Sequence, residues 1–568
     1  MADLLSSKRR TAVLVTLCLA VFTINLDTTI VNVALPTLVR ELGASTTQLQ
    51  WVVDAYNLVF AALVLAAGSV SDRVGRKGAL LTGLAIFGAG SLIGSRCTSP
   101  GQLIVVRGLI GLGAAIIFPT TLSIISNVFT GRAERAKAIG LWGAMTGVGV
   151  AAGPICGGWL LEHYWWGSVF VSLVPIAAAV AALVAWRVPT SRDPQAPRVD
   201  RAGLALSTAA IGSLVFTIIE APQFGWAAGR SIAGFAVAAA LLAVFVAWER
   251  HVDQPMLDVR LFQNLRFTAA SGSVTVAFFA LFGFIFMVTQ YFQFLKGYSP
   301  FGTGIRLLPV AGSVATASIV GTKLAVRIGN KAIVSTGLGL IALAFLWIST
   351  ASAATPYLEI VGQMIVLGLG MGLTSAPATE AIMGVVPKEK AGIGSAMNDA
   401  TRELGGTLGV AVIGSVFASL YASRLIVPAG LPSEAAKAAN ESVGGAFIAA
   451  QRVAAAGLGP VAAQLKAVAA AAFFDGFSAG CLVAAVVAAV GAIAAAVLLP
   501  AQPIVVPGDA PGVSVLDDSA FLTAGDGVGN GERPPIGQRA LRPRRAATLE
   551  PLQGAGRDDF GAPGSSNR

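Results

Sequence analysis

Long runs of apolar residues alternate with short polar segments along most of the chain. Fourteen of these runs approach or exceed the roughly 20 residues that a helix needs to cross the hydrocarbon core of a bilayer. They lie at 12–35, 51–70, 78–95, 103–127, 138–161, 167–186, 203–221, 232–248, 267–293, 303–322, 332–350, 357–377, 404–421 and 472–499. Because barrel-type alternation is absent and backbone polar groups must be satisfied within lipid, each run is predicted to be a helix. The pattern predicts an all-α polytopic membrane protein with fourteen transmembrane helices.

The composition agrees with a membrane protein. Of 568 residues, 55% are hydrophobic and 12% are charged, and the mean hydropathy is +0.75, whereas soluble domains carry about 25% charged residues. The four cysteines, Cys18, Cys97, Cys156 and Cys481, lie in or beside apolar runs without the spacing of metal ligands. We therefore interpret them as packing residues and expect neither a metal nor a cofactor.

Basic residues gather in alternate loops. If the N-terminus is cytoplasmic, the loops and chain end on that side hold 22 Lys and Arg residues, against five in the short loops and helix ends opposite. This positive-inside bias predicts that both termini lie on the cytoplasmic side of the cell membrane. The net charge of +10 then follows from topology and from the tail, and it gives no reason to expect a nucleic-acid partner.

Polar segments divide the chain into four parts. A linker rich in Pro and Arg, 187–202, follows the sixth span, and a long segment on the outside, 422–470, contains stretches that suit surface helices. The end of the chain lacks the apolar content to fold alone. The predicted parts are an N-terminal six-helix bundle (1–187), a linker with two extra helices (188–265), a C-terminal six-helix bundle (266–499) and a disordered cytoplasmic tail (500–568).

A weak internal repeat relates the two bundles. The segment GSVSDRVGRK (68–77) after span 2 has a counterpart, TKLAVRIGNK (322–331), after span 10. The counterpart keeps the Arg, Gly and Lys positions, but Asp72 is replaced by Val326. Internal repeats of this kind mark secondary transporters, whose substrate site lies between the halves near the bilayer midplane.

The first copy of this repeat combines small, acidic and basic residues. Gly68 permits close packing where span 2 ends, and Asp72 can cap a helix or pair with an arginine. The remaining candidates in the segment are Arg73, Gly75, Arg76 and Lys77. We interpret the segment as a cytoplasmic clamp that a conformational change makes or breaks. The alternative, a loop that only sets topology, requires charge but not this order of residues.

Span 5 carries small residues on both sides of a proline. In GVAAGPICGG (149–158), the glycines allow backbone-to-backbone packing and Pro154 removes a helical donor. The four glycines are Gly149, Gly153, Gly157 and Gly158. We expect a close contact that seals a pathway against leak, with ordinary small-residue packing as the alternative.

Charged residues inside apolar spans are costly and therefore mark candidate functional positions. Asp27 lies deep in span 1, and Arg107 lies in span 4. An arginine keeps its proton in proteins, whereas a carboxylate can exchange one. We interpret Arg107 as a group that tunes the proton affinity of Asp27, with a static buried ion pair as the alternative.

Other charged and aromatic positions have competing interpretations. Asp54, at the start of span 2, is either a contact for protons or cations or a solvated helix end. Glu380, near Pro377 in span 12, is a candidate because isolated intramembrane carboxylates usually face a cavity. The charged and polar residues that open span 13, interpreted as candidates for a cytoplasmic gate, are Asn398, Asp399, Arg402 and Glu403. The phenylalanines of span 9, expected to face lipid, with the lining of an apolar drug pocket as the alternative, are Phe278, Phe279, Phe282, Phe284 and Phe286.

These motifs together resemble the major facilitator superfamily. The segment 68–77 resembles its signature loop between spans 2 and 3, and 149–158 resembles its antiporter motif. LDTTIVNVALP (26–36) resembles the signature of its fourteen-span drug:proton antiporters, which include quaternary-ammonium and multidrug exporters. RGLIG (107–111) is similar to the Arg-x-x-Gln-Gly motif of that family, with Ile110 in place of glutamine.

The resemblance implies two six-helix bundles plus two extra helices, and a transporter rather than an enzyme. It implies export of amphipathic, often cationic, compounds in exchange for protons, through a site between the bundles. The proton-coupling candidates are Asp27, Arg107, Asp54 and Glu380. Export of one endogenous metabolite, lipid or antibiotic by the same mechanism is the alternative. The expected partners are the lipid bilayer, a small amphipathic substrate and protons, and a monomer is favoured.

Overall fold

The computed structural model describes residues 7–193, 200–253, 255, 257–385 and 391–500. Within these ranges the chain forms α-helices and no β-strand. The first helices are α1 (Ser7–Leu42), α2 (Thr46–Val74), α3 (Arg76–Gly94), α4 (Pro100–Val128), α5 (Arg132–His163), α6 (Ser168–Val171), α7 (Leu173–Arg187), α8 (Arg201–Phe224) and α9 (Gly229–His251). The later helices are α10 (Leu265–Gln290), α11 (Pro300–Arg306), α12 (Leu308–Ile328), α13 (Asn330–Ile348), α14 (Tyr357–Met383), α15 (Ala391–Arg424), α16 (Ser433–Glu441), α17 (Val443–Ala455) and α18 (Gly459–Leu498). A 3₁₀ helix (Val259–Gln263) precedes α10, and a π-helix (Tyr291–Leu295) follows it.

Among the described residues, fourteen helical segments are long and apolar enough to cross a bilayer. Three of them combine two helices each, namely α6 with α7, α10 with the π-helix, and α11 with α12. The prediction of an all-α chain with fourteen spans is therefore confirmed. Below, the near face is the end of the bundle at which α1 begins, and the far face is the end at which α1 stops.

Some helices extend beyond the predicted spans. α1, α15 and α18 contain 36, 34 and 40 residues. Because α18 begins at Gly459, residues 459–470 of the expected outside segment are part of a long helix, while α16 and α17 occupy its earlier portion. The predicted disordered tail, apart from Pro500, lies outside the described residues, as do 194–199 of the predicted linker.

Local sequence signals explain several helix ends. The Ser45 hydroxyl accepts a hydrogen bond from the Gln48 amide, and the Gln48 side chain accepts one from the Ser45 amide, so a capping box begins α2. Gly75 and Gly329 have φ values of 133° and 89°, a region that residues with a Cβ rarely adopt. These two glycines separate α2 from α3 and α12 from α13, so the internal repeat is preserved in the backbone.

The helices form two packed groups within residues 7–500. In the first group α1 packs against α5, and α4 packs against both α2 and α3. In the second group α10 packs against α15, and α14 packs against both α12 and α13. α8 and α9 pack together, and α8 also contacts α2 and α15. Contacts between α2 and α15 and between α5 and α11 join the two groups, called the first and second halves below.

The phenylalanines of α10 lie inside the protein, so the expectation that they face lipid was wrong. All five are at most 9% exposed. Glycines on α15 allow this burial, since a Cβ at Gly406 would lie 3.2 Å from the ring of Phe282. Sequence alone could not distinguish these positions from lipid-facing ones, because lipid tails and protein interior are similarly apolar.

Candidate functional site

A buried ion pair joins α1 to α4. The Nη1 atom of Arg107 donates to Oδ2 of Asp27 at 2.7 Å, and the two side chains are 1% and 0% exposed. Nε of Arg107 also donates to the carbonyl oxygen of Val52 at 3.0 Å. The guanidinium carbon lies 4.3 Å from the ring centroid of Tyr56. Arg107 therefore holds α1, α2 and α4 together around one carboxylate.

The second oxygen of Asp27 has spare hydrogen-bonding capacity. Its Oδ1 atom is buried and makes no hydrogen bond to any described residue. The neighbouring Thr28 hydroxyl donates to the Tyr56 hydroxyl at 3.3 Å. One oxygen of the carboxylate is thus fixed by Arg107, while the other is available to a proton or a donor group.

Local packing explains why Ile110 can stand where the related span-4 motif has glutamine. Ile110 is fully buried, and a Cβ at Gly90 of α3 would lie 2.8 Å from its Cγ1 atom. Ile110 therefore packs against α3, whereas Arg107 takes its polar partners from Asp27 and Val52. The close approach of α4 to α2 is made at Gly111, where a Cβ would lie 2.5 Å from the Tyr56 carbonyl oxygen.

Asp54 is also buried, so the alternative of a solvated helix end is wrong. Its side chain is 0% exposed, and neither carboxylate oxygen bonds to a described residue. One turn away, Nε2 of Gln50 donates to the carbonyl oxygens of Val410 and Ala411 at 3.2 and 3.1 Å. Asn57, buried one turn further along α2, makes no side-chain hydrogen bond within the described ranges. Gln50, Asp54 and Asn57 thus form a polar strip on α2 at helical spacing.

Further carboxylates lie on α15 in the second half. Asp399 is 7% exposed, and its Oδ1 atom lies 3.8 Å from Nη1 of Arg402. The Arg402 guanidinium carbon is 4.5 Å from the ring centroid of Phe278. Oε2 of Glu403 is buried and bonds to no described residue.

The sequence predicts only gate candidates among these α15 residues, because the apolar run of span 13 begins at residue 404. The structure begins α15 at Ala391, which brings Asp399 and Glu403 into the helix. Their spacing of four residues places both carboxylates on one helix face and was visible in the sequence. By contrast, Glu380 is exposed in the last turn of α14 near the near face, and the structure does not bring it to Asp27.

The signature segment 68–77 is bonded to the following linker. Nε of Arg76 lies 2.6 Å from Oδ1 of Asp72. The Asp193 amide donates to the Asp72 carbonyl oxygen at 2.7 Å, and the Arg76 amide donates to that of Ser191 at 3.0 Å. Lys77 donates to the Ala185 carbonyl oxygen at 2.6 Å. These bonds lie at the near face and connect α2 and α3 to the end of α7 and to the segment after it.

The glycines of span 5 lie against two different helices. A Cβ at Gly149 would lie 2.8 Å from the Phe22 carbonyl oxygen of α1, and one at Gly157 would lie 2.6 Å from Cγ1 of Ile30. Gly153 also packs against α1, at Thr29 and Ile30. On the other side, a Cβ at Gly158 would lie 2.6 Å from Cα of Phe301 in α11. Small residues thus let α5 pack closely against α1 of its own half and against α11 of the second half.

Comparison with known proteins agrees with these motifs. A family model described as the Major Facilitator Superfamily matches residues 17–410. The chain belongs to the Major Facilitator Superfamily. The resemblance noted in the sequence is therefore confirmed.

Relatives of this superfamily member include efflux proteins. It is 36% identical to the multidrug efflux pump LfrA of Mycolicibacterium smegmatis over 83% of this chain and 93% of LfrA. It is 32% identical to the methyl viologen resistance protein SmvA of Salmonella typhimurium over 77% of this chain and 88% of SmvA. A solved bacterial homologue of the human lysosomal transporter Spinster has the same fold, with a TM-score of 0.63 at 17% identity, covering 87% of this chain and 98% of that one.

The two halves of this superfamily member are bonded to each other toward the far face. Besides the Gln50 bonds, Nε2 of Gln293 in the π-helix donates to the Val33 carbonyl oxygen at 2.9 Å. The Thr46 hydroxyl donates to the Glu441 carbonyl oxygen at 3.2 Å. The α5–α11 contact lies on the same side. The described arrangement is therefore closed toward the far face.

Proposed function

We propose that this chain is a proton-coupled exporter of amphipathic and cationic compounds in the cell membrane, with the near face cytoplasmic. One observation carries the proposal, namely the fully buried Asp27–Arg107 pair, in which the Oδ1 atom of Asp27 bonds to no described residue. A structural ion pair alone is better served by bonding both oxygens, since a buried acceptor without a partner costs about 1–3 kcal/mol. The free oxygen gives Asp27 a place to receive a proton.

Arg107 would couple the charge of Asp27 to the conformation of the first half. A proton on Asp27 weakens its attraction to Arg107, which also bonds to Val52 of α2. Protonation would therefore loosen the junction of α1, α2 and α4, and deprotonation would restore it. This supplies the link between proton binding and helix packing that alternating access requires.

The second half would supply contacts for the substrate. Asp399 and Glu403 place two carboxylates on α15, and the Phe278 ring beside them already holds the cationic group of Arg402, at 4.5 Å from the guanidinium carbon. Carboxylates attract cations, and aromatic rings bind cationic groups through their faces. This set supports a cationic, amphipathic substrate, in keeping with the methyl viologen resistance named for SmvA.

The proton gradient provides sufficient driving force. Each elementary charge that crosses 100 mV releases about 2.3 kcal/mol. At about 1.4 kcal/mol per factor of ten, this supports roughly 50-fold accumulation of substrate per 100 mV for each proton imported in excess of the positive charge on the exported compound.

The test is transport by purified protein in sealed vesicles. With an acidic lumen, proton flow out of the vesicles should drive methyl viologen into them, and an ionophore that dissipates the gradient should abolish the accumulation. Glu380→Gln is a matched control, because it removes an exposed carboxylate away from Asp27. Absence of gradient-driven accumulation across a panel of lipophilic cations would contradict the proposal. Accumulation of one compound alone would favour the alternative of a dedicated exporter.

A further inference from the structure

The two helices between the halves form a hairpin that covers the seam of α2 and α15. Val215, Ile218 and Ile219 of α8 form a buried cluster with Ala411 of α15. Trp51 and Leu58 of α2 pack against the same cluster. The α8–α9 hairpin is therefore packed on both halves at once.

Polar bonds toward the far face attach the hairpin to each half. Nε1 of Trp51 in α2 donates to Oε1 of Glu220 in α8 at 3.0 Å. The Trp51 ring also lies 6.0 Å from that of Phe216. On the other side, Nε1 of Trp226, between α8 and α9, donates to the Ser419 hydroxyl of α15 at 2.9 Å. If α2 and α15 separate at the far face, the hairpin cannot keep both attachments.

The two attachments differ in strength. The bond to α2 has a carboxylate acceptor and is partly buried, whereas the bond to α15 joins neutral groups at an exposed position. Hydrogen bonds to ionised groups are roughly twice as strong as neutral ones. The attachment to α15 is therefore the one expected to break first.

The position of Asp54 also indicates that the hairpin stays with α2 and separates from α15. Asp54 lies one turn from Gln50, which bonds to α15, and one turn from Leu58, which packs on the α8 cluster. Its carboxylate is thus placed where α2, α8 and α15 meet. A hairpin that left with α15 would open this side of α2 to lipid, where an ionisable group is costly.

We infer that the α8–α9 hairpin travels with the first half as a shield over Asp54, and that the Trp226–Ser419 contact is the latch that opens. This inference rests on the alternating-access part of the proposed function. The hairpin then keeps lipid away from the seam while α15 moves from it, so Asp54 exchanges protons with the aqueous pathway and not through the side of the bundle.

Cross-linking tests the inference on the full chain. In a variant with Cys18, Cys97, Cys156 and Cys481 replaced by alanine, one cysteine pair is placed at Trp226 and Ser419, and the matched pair at Trp51 and Glu220. Each variant is assayed for methyl viologen transport when cross-linked and again after reduction. Cross-linking the hairpin to α15 should lower transport to the protein-free background, and reducing the disulfide should restore transport. Cross-linking the hairpin to α2 should leave transport unchanged. Arrest by the second pair alone, by both pairs or by neither would overturn the inference.

A distance measurement separates this inference from the proposed function. Spin labels at Ala227 and Ser423 report the distance from hairpin to second half, and labels at Ala227 and Glu41 report that from hairpin to first half. Between acidic and alkaline pH, the first distance should change and the second should stay constant. The reverse pattern, or two constant distances, would overturn the inference. Because this readout does not use transport, absence of flux in every reduced variant would count against the proposed function alone.

Discussion

Asp27 and Asp54 lie on adjacent helices of the first half, and each has a side chain that is 0% exposed. Asp27 bonds to Arg107 at 2.7 Å, whereas neither oxygen of Asp54 bonds to a described residue. An ion-pair or hydrogen-bond partner offsets the unfavourable free energy of burying a charge. The charge of Asp27 is therefore part of the structure that holds three helices together. The carboxyl group of Asp54 bonds to no described residue, so Asp54→Asn tests proton chemistry with little structural consequence.

The largest effect is expected at the paired carboxylate. Asp27→Asn should abolish accumulation driven by a proton gradient, because asparagine keeps the size of the side chain but cannot exchange a proton. Substrate binding should persist, since the neutral amide mimics the protonated acid. Flux in vesicles and substrate binding are measured on the same purified protein. Asp27→Glu, which retains a carboxylate displaced by one methylene, should keep partial activity. A stable Asp27→Asn protein with undiminished uphill transport would show that Asp27 does not carry the proton.

The next largest effect is expected on stability when Arg107 is replaced. Arg107→Gln leaves the Asp27 carboxylate buried without its partner, which should lower the free energy of unfolding by about 3–5 kcal/mol. Thermal unfolding in detergent measures the loss. The double variant Asp27→Asn with Arg107→Gln should recover part of this stability, because the uncompensated charge is gone. Equal losses in the single and double variants would indicate that Arg107 stabilises the fold through Val52 and Tyr56 alone.

A smaller effect is expected at Ile110. Ile110→Gln restores the glutamine of the related motif but places an amide in the apolar contact with Gly90. An amide buried without hydrogen bonds costs about 1–3 kcal/mol in protein variants. The melting temperature should fall while gradient-driven transport is retained. A more stable protein with faster transport would show instead that the glutamine reaches the Asp27–Arg107 pair.

The smallest change in stability is expected at the unpaired carboxylate. Asp54→Asn should leave the melting temperature unchanged or raise it, because no partner loses its bond. If Asp54 carries a second exchanged proton, downhill transport should continue while the steady-state accumulation ratio falls. Asn57→Asp is the matched control, since it adds a carboxylate one turn away on the same polar strip. A large loss of stability in Asp54→Asn would show that the carboxylate has a structural partner after all.

The sequence predicted the fourteen spans because apolar length is a direct requirement of the bilayer. It also predicted that Asp27 and Arg107 belong together, since two charges buried in apolar spans need partners. Asp54 was placed near a helix end because the apolar run begins at Trp51, whereas the capping box begins α2 at Thr46. In the same way, α15 begins at Ala391 and not at residue 404, so the sequence did not place Asp399 and Glu403 inside a span. The burial of the α10 phenylalanines depends on which helix is central, and hydrophobicity does not encode this. The functional roles of the candidate residues stay predictions.

The length of α18 has a mechanical consequence. Its 40 residues, at 1.5 Å per residue, form a rod of roughly 60 Å, about twice the thickness of the hydrocarbon core. Because the apolar run occupies 472–499, the first part of this helix projects from the expected hydrocarbon core toward the far face, and α17 packs against the helix. A small tilt of the second half is therefore magnified into a larger sweep of the tip near Gly459. An antibody fragment bound to the tip near Gly459 would act far from the centre of the tilt. A modest force at that point would therefore be enough to stop the movement of the second half.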